Sequence, residues 1–153
     1  MNEVNQNPVD ILLVEDNEAD IKITLRAFAK AKLANNIFVV HNGEEAINFL
    51  EHKDQYSDSK KFPIPDLILL DIQMPKLNGF EVLKYVKSQT GFDIIPIIML
   101  TSSKNEEDIV NSYKYGAVSY IQKPVTYEAF EYVVDGFNFY WHIINKLPPK
   151  QNR

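Results

Sequence analysis

The sequence predicts an α/β fold, a doubly wound three-layer sandwich around a parallel sheet of five strands. Two observations predict it. Short apolar runs alternate with longer amphipathic segments along the chain, giving five strand–helix units in a row. The runs are apolar on both faces, as strands covered by helices on each side must be. A length of 153 residues, 45% of them hydrophobic, suits one domain with a core that needs no staples.

The elements follow in order. Val9-Asp10-Ile11-Leu12-Leu13-Val14 is the first strand and ends in Glu15-Asp16-Asn17. Ala19 to Lys32 is helical, with Ile23, Ala27 and Lys30-Ala31 spaced by three or four. Ile37 to Val40 is the second strand, stopped by Asn42-Gly43, and a short helix follows through Ala46, Ile47 and Leu50. His52 to Pro65 is polar, holds two prolines and reads as an exposed loop. Leu67-Ile68-Leu69-Leu70 is the third strand and stops at Asp71. After the loop Met74 to Gly79, Phe80, Val82, Leu83 and Val86 share a helical face. Ile94 to Leu100 is the fourth strand and stops at Thr101. Ser103-Lys104-Asn105-Glu106 has capping-box spacing and should open a helix ending near Gly116. Ala117 to Ile121 is the last strand, and a final helix runs from about Tyr127 to Lys146, where Pro148-Pro149 stops it. One domain over residues 8–146 is expected, with residues 1–7 and 148–153 as disordered tails.

Composition removes several functions. Sixteen basic against 21 acidic residues give a net charge of −5, which repels phosphate backbones and argues against direct nucleic-acid binding. There is no cysteine, hence no disulfide, thiol nucleophile or cysteine-based metal centre. No stretch approaches the roughly 20 apolar residues of a membrane span, and the first ten residues lack a signal-peptide pattern. A cytoplasmic protein without membrane contact is expected.

In an open α/β sheet, ligands bind beyond the carboxyl ends of the strands. Here the strands end in Glu15-Asp16, Asp71, Thr101 and Lys123-Pro124. Taken singly, each has a plain structural explanation: an acid or a threonine caps the next helix, and Lys-Pro makes a turn. Together, on one rim, they form a site. Like charges ~4 Å apart repel by about 4 kcal/mol at an effective dielectric near 20, so three carboxylates need counter-charge. Lys123 supplies one unit and a divalent cation the rest. All-oxygen ligation favours magnesium over zinc. Metal, nucleophilic carboxylate, lysine and hydroxyl make a phosphoryl-transfer centre.

Leu-Val-Glu-Asp (13–16), Leu-Leu-Asp-Ile-Gln-Met-Pro (69–75) followed by Gly79, Leu-Thr-Ser (100–102) and Lys-Pro (123–124) resemble the receiver domain of two-component response regulators over residues 8 to 140. The resemblance implies a flavodoxin-like fold with strand order 2-1-3-4-5. It makes Asp71 the phosphoacceptor, which takes the phosphoryl group from a histidine kinase. It also implies Mg2+ held by Asp16, by Glu15 through water, by Asp71 and by the main-chain carbonyl of Gln73. Lys123 would bind a phosphoryl oxygen, Thr101 would donate its hydroxyl, and the Lys123-Pro124 bond would be cis. Side chains at Gln73 and Ser103 match positions that tune phosphoryl lifetime. Tyr120 matches the aromatic switch that couples the site to the face of helix four, strand five and helix five. Such a protein is a phosphoacceptor, an enzyme only towards its own phosphoryl group.

The segment Thr101 to Ile109, Ser112-Tyr113, the long loop before the third strand and the aromatic tail resemble single-domain regulators paired with bacterial phytochromes. That implies output by protein contact with no output domain, and a phytochrome-type sensor kinase or a phosphotransfer protein as partner. In the last helix, Phe130, Val133, Val134, Phe137, Trp141 and Ile144 share one face. Tyr132, Phe139, Tyr140, Ile143 and Leu147 fall roughly opposite. A second apolar stripe without a core to cover points to a homodimer, with Tyr140 and Trp141 as anchors.

Rival functions fit less well. A haloacid-dehalogenase-type phosphoaspartate enzyme needs a second acid where Gln73 stands. A flavodoxin-like electron carrier needs a phosphate-cradling loop, where Glu15 to Asp20 carries four acids. A receiver-like binding module that ignores phosphorylation is the remaining alternative, and a phosphorylation assay separates it.

Overall fold

The computed structural model describes residues 8–30, 35–102 and 104–132. Five strands, β1 (Val9–Val14), β2 (Asn35–Val40), β3 (Leu67–Asp71), β4 (Ile97–Thr101) and β5 (Ser119–Gln122), form one sheet in the order β2-β1-β3-β4-β5. Every pairing is parallel, and the register sets Asp71 beside Leu100 and Thr101 beside Gln122. The expected doubly wound, flavodoxin-like order is therefore observed.

Alternation along the strands builds two cores. Leu12, Val14, Ile68, Leu70, Ile97 and Met99 face α2 (Gly43–Leu50) and α3 (Gly79–Ser88), where Phe49, Leu83 and Val86 meet them. Ile11, Leu13, Leu67, Leu69, Ile98 and Leu100 face α1 (Glu18–Lys30), with Ile21, Ala27 and Phe28. Residues 127–132 are the described start of α5, whose fully buried Phe130 packs against Phe28 at a ring-centroid distance of 3.9 Å. β3 and β4 are buried at every position, as central strands with both faces covered must be.

Several boundaries shift for physical reasons. β4 begins at Ile97 rather than Ile94: Pro96 has no N–H to give the ladder, and Ile95 N–H closes a turn onto the Phe92 carbonyl. β5 begins at Ser119 rather than Ala117. Gly116 takes a φ of +108°, and the Gly116 and Ala117 amides return to the Tyr113 and Ser112 carbonyls, closing the end of α4 (Glu106–Lys114). The α4 start also differs from expectation. Asn105 is the N-cap and accepts from Glu107 N, so Glu106 stands at the first helical position instead of completing a capping box with Ser103; Ser103 lies outside the described residues. α3 does carry a complete capping box, between Asn78 and Glu81.

The loop over 52–65 is not simply exposed. A short 3-10 turn at Asp54–Tyr56 turns the Tyr56 ring inward, between Phe49 at 5.2 Å and Phe62 at 5.1 Å. His52 Nε2 bonds the Phe62 carbonyl at 2.7 Å, tying the two ends of the loop. Its polar composition hid three aromatic contacts.

Candidate functional site

The parallel topology delivers the ends of β1, β3, β4 and β5 to one rim. β1 ends in Glu15, fully buried, with its amide on the Val40 carbonyl, and the exposed Asp16 follows. Asn17 Oδ1 then accepts from Asp20 N at 2.9 Å, a side-chain cap that starts α1. β3 ends in Asp71, 3% exposed. The Ile72 amide returns to Leu100 and the Gly79 amide to Ile72, folding the next loop back under the acid. Gly79 is required there by space: a Cβ would stand 2.3 Å from the Asp71 carbonyl oxygen. Gln73 N approaches Asp71 Oδ1 at a long 3.4 Å. β4 ends in the buried Thr101, whose carbonyl accepts from Lys123 N at 2.7 Å, and the Lys123-Pro124 bond is cis.

These ends converge. Carboxylate oxygens of Glu15, Asp16 and Asp71 all lie within 4.8 Å of one another. Lys123 Nζ stands 2.9 Å from Glu15 Oε1, 3.2 Å from Asp71 Oδ1 and 3.1 Å from Asp20 Oδ2. Glu15 Oε1 is buried, and the Lys123 ammonium is the cation that faces it.

Electrostatics follow from this crowding. Burial pushes the Glu15 carboxyl up to about 7; the Lys123 ammonium opposes that and the neighbouring Asp71 adds to it. Burial alone would lower the Lys123 ammonium, but Glu15, Asp71 and Asp20 outweigh it and hold the group above its ordinary value. One ammonium among four acids leaves negative charge uncompensated. Three hard carboxylates within reach of one another, without sulfur or imidazole among them and with only one ammonium beside them, fit a hard divalent cation.

The sequence-predicted residues Glu15, Asp16, Asp71, Gln73, Thr101 and Lys123 are thus gathered at one rim. Tyr120 lies apart from it, half-buried in β5, with its ring edge-on to Tyr113 of α4 at 6.0 Å. Of the proposed dimer residues, Tyr132 is 83% exposed; Phe139, Tyr140, Trp141 and Ile143 lie outside the described residues. Asp20 is the partner the sequence reading missed. Its signal was there: it stands four residues before the buried Thr24, an acid on the stripe that α1 turns to the sheet.

Residues 11–135 match the response regulator receiver domain family. The chain belongs to that family. It is a receiver-domain response regulator of two-component signalling. It is 32% identical to the response regulator Rcp1 of Synechocystis sp., over 97% of this chain and 99% of that protein. It is equally 32% identical to the probable methanogenesis regulatory protein FilR2 of Methanothrix harundinacea, over 94% of this chain and 90% of that one. Among solved structures, the bacteriophytochrome response regulator RtBRR superposes with a TM-score of 0.79 at 38% identity, covering 94% of this chain and 86% of that one. The phosphorylated cyanobacterial phytochrome response regulator RcpA gives 0.74 at 35% identity, covering 93% and 99%. Among the described residues no helix is long and apolar enough to cross a membrane.

Proposed function

We propose that this receiver accepts a phosphoryl group on Asp71 from a phytochrome-type sensor histidine kinase and passes the signal on by protein contact. The observation that carries this reading is the placement of Asp71 Oδ1 3.2 Å from Lys123 Nζ, inside a carboxylate cluster that fits a divalent cation. An Asp71 carboxylate oxygen bonds phosphorus while the bond from phosphorus to the kinase histidine breaks. The leaving imidazole nitrogen keeps the electron pair. Glu15, Asp16, Asp71 and the Gln73 main-chain carbonyl would hold Mg2+. When bound, the metal neutralises phosphoryl oxygens as charge moves between donor and acceptor. Lys123 carries a phosphoryl oxygen as an ammonium point charge. Thr101, at the end of the neighbouring strand, supplies the hydroxyl.

Output runs through α4, β5 and α5 in this reading. Val110 and Tyr113 of α4 are 57% and 49% exposed, and Tyr132 joins them from α5. Tyr120 couples the rim to that face through its contact with Tyr113. A homodimer through α5, with Tyr132 at its described end, covers the same surface.

Intact-mass measurement after incubation with acetyl phosphate tests the reading. A magnesium-dependent phosphate adduct on wild type, absent from a folded Asp71→Asn variant, is expected. An adduct of equal size on Asp71→Asn places the acceptor elsewhere. A folded wild type that stays unlabelled by both small donors and a kinase leaves the phosphorylation-independent binding module.

A further inference from the structure

Lys123 has three carboxylate neighbours, and they do not share one fate in the reaction. Asp71 Oδ1, at 3.2 Å, belongs to the group that becomes an acyl phosphate. Glu15, at 2.9 Å, belongs to the acidic cluster with Asp16 and Asp71. Asp20 Oδ2, at 3.1 Å, is in neither group and makes an oriented hydrogen bond with the ammonium. It comes from the first turn of α1, 103 residues away in sequence, so the contact ties α1 to the turn after β5.

We propose that Asp20 is a positioning residue for phosphoryl transfer, holding the Lys123 ammonium at the rim while its bond to Asp71 is given up. The proposal rests on Asp71 being the phosphoacceptor. When an Asp71 oxygen bonds phosphorus, the donor's bond to phosphorus breaks and its leaving group departs with the electron pair. The full carboxylate charge that attracted Lys123 is gone from that atom. An ammonium on a flexible four-carbon stem then needs another anchor to remain facing the phosphoryl oxygens. Asp20 supplies it from outside the reacting groups. The anchor is itself fixed: Asp20 N is bonded to Asn17 Oδ1, and an acid in the first turn suits the positive end of the helix. Its side chain is 29% exposed, so it can be changed without opening the core.

The test is a double-mutant cycle on the labelling rate with acetyl phosphate and Mg2+, followed by intact mass. Wild type, Asp20→Ala, Asp20→Asn, Lys123→Ala and the Asp20→Ala/Lys123→Ala pair are compared after circular dichroism shows each folded. Misplacing a charged group in a transfer site costs rate, so Asp20→Ala is expected to slow labelling on the order of tenfold. Asp20→Asn keeps an acceptor oxygen and recovers part of that loss. In the Lys123→Ala background, Asp20→Ala changes nothing further, because its partner is gone. Wild-type rates in Asp20→Ala, or the same loss in both backgrounds, overturn the proposal. A second readout does not depend on phosphorylation. In an Asp71→Asn background, where the Asp71 charge is absent, the 15Nζ ammonium of Lys123 is expected to exchange with water faster when Asp20→Ala is added than when Asp20 or Asp20→Asn is present. If folded wild type takes up no label from acetyl phosphate or from a kinase, the acceptor reading has failed. Equal exchange rates with and without Asp20→Ala in the Asp71→Asn background then show separately that there is no tether.

Discussion

Lys123 Nζ meets Glu15 Oε1 and Asp71 Oδ1 at 2.9 Å and 3.2 Å, one ammonium held between two buried carboxylates from different strand ends. The lysine is itself only 12% exposed. Its charge is therefore a structural requirement of the rim, independent of any part it takes in phosphoryl transfer. Removing one member of a buried charge cluster leaves the others unpaired, a larger loss than the net worth of the pairing.

Lys123→Ala is accordingly expected to lower metal-free stability by about 2–4 kcal/mol near pH 8, somewhat below a fully enclosed pair because Asp20 is partly solvated. Magnesium should restore more stability to this variant than it adds to wild type, since the cation then replaces the missing positive charge. Urea unfolding with and without magnesium checks both statements. Equal magnesium stabilisation in the two proteins would show that Lys123 does not share the charge burden of the acids.

Gly79→Ala addresses how Asp71 is seated. The added methyl would stand 2.3 Å from the Asp71 carbonyl oxygen and 2.7 Å from Ile72 Cα, both backbone atoms that cannot rotate away. The loop after β3 must move, and overpacking of this kind costs about 1–3 kcal/mol. Because the displaced backbone carries Asp71, labelling by acetyl phosphate should fall together with the urea midpoint. A variant with reduced stability but an unchanged labelling rate would separate the two.

Tyr56→Ala tests the loop before β3. Tyr56 is 8% exposed and packed between Phe49 and Phe62, so its truncation should cost about 3 kcal/mol. A freely exposed loop residue would change stability by less than ~0.5 kcal/mol. Denaturant unfolding distinguishes the two, and labelling at Asp71 should be unaffected.

What the sequence showed and what it hid divide along physical lines. The strands were legible because β3 and β4 are apolar at nearly every position, and parallel pairing then sends Glu15, Asp71, Thr101 and Lys123 to one rim. The inward turn of Tyr56 was not legible, since it depends on ring contacts between the loop and α2, with Phe49 and Phe62, that no periodicity within the loop shows. The α4 cap was misassigned because Ser103 and Asn105 are both good caps, and spacing alone cannot choose between them. Asp20 was passed over for a different reason: it stands in one run of acids with Glu15, Asp16 and Glu18, and nothing in that run tells which of them turns to Lys123.

Glu15 makes the rim sensitive to pH. In the metal-free protein burial holds its carboxyl at about 7, against 4.5 for the exposed group. Between those values the folded state binds more protons than the unfolded one, so stability falls as pH rises. The penalty is absent below the unfolded value and complete above the folded one. It amounts to on the order of 3 kcal/mol at most. Lys123 does not offset it in this window: its folded value is raised, so its contribution persists until alkaline pH. Metal-free protein should therefore unfold at a higher urea concentration near pH 5.5 than near pH 8 once the other carboxylates are allowed for, and Glu15→Gln should flatten the difference. If Glu15, Asp16 and Asp71 hold magnesium as proposed, magnesium should reverse the slope, because it needs the ionised carboxylate and gains affinity as Glu15 gives up its proton. Titration calorimetry in two buffers of different ionisation enthalpy, at about pH 6.5, should show a proton released on magnesium binding. A binding enthalpy independent of buffer, with a pH-independent affinity from about 6 to 8, would mean that Glu15 is already ionised before the metal arrives.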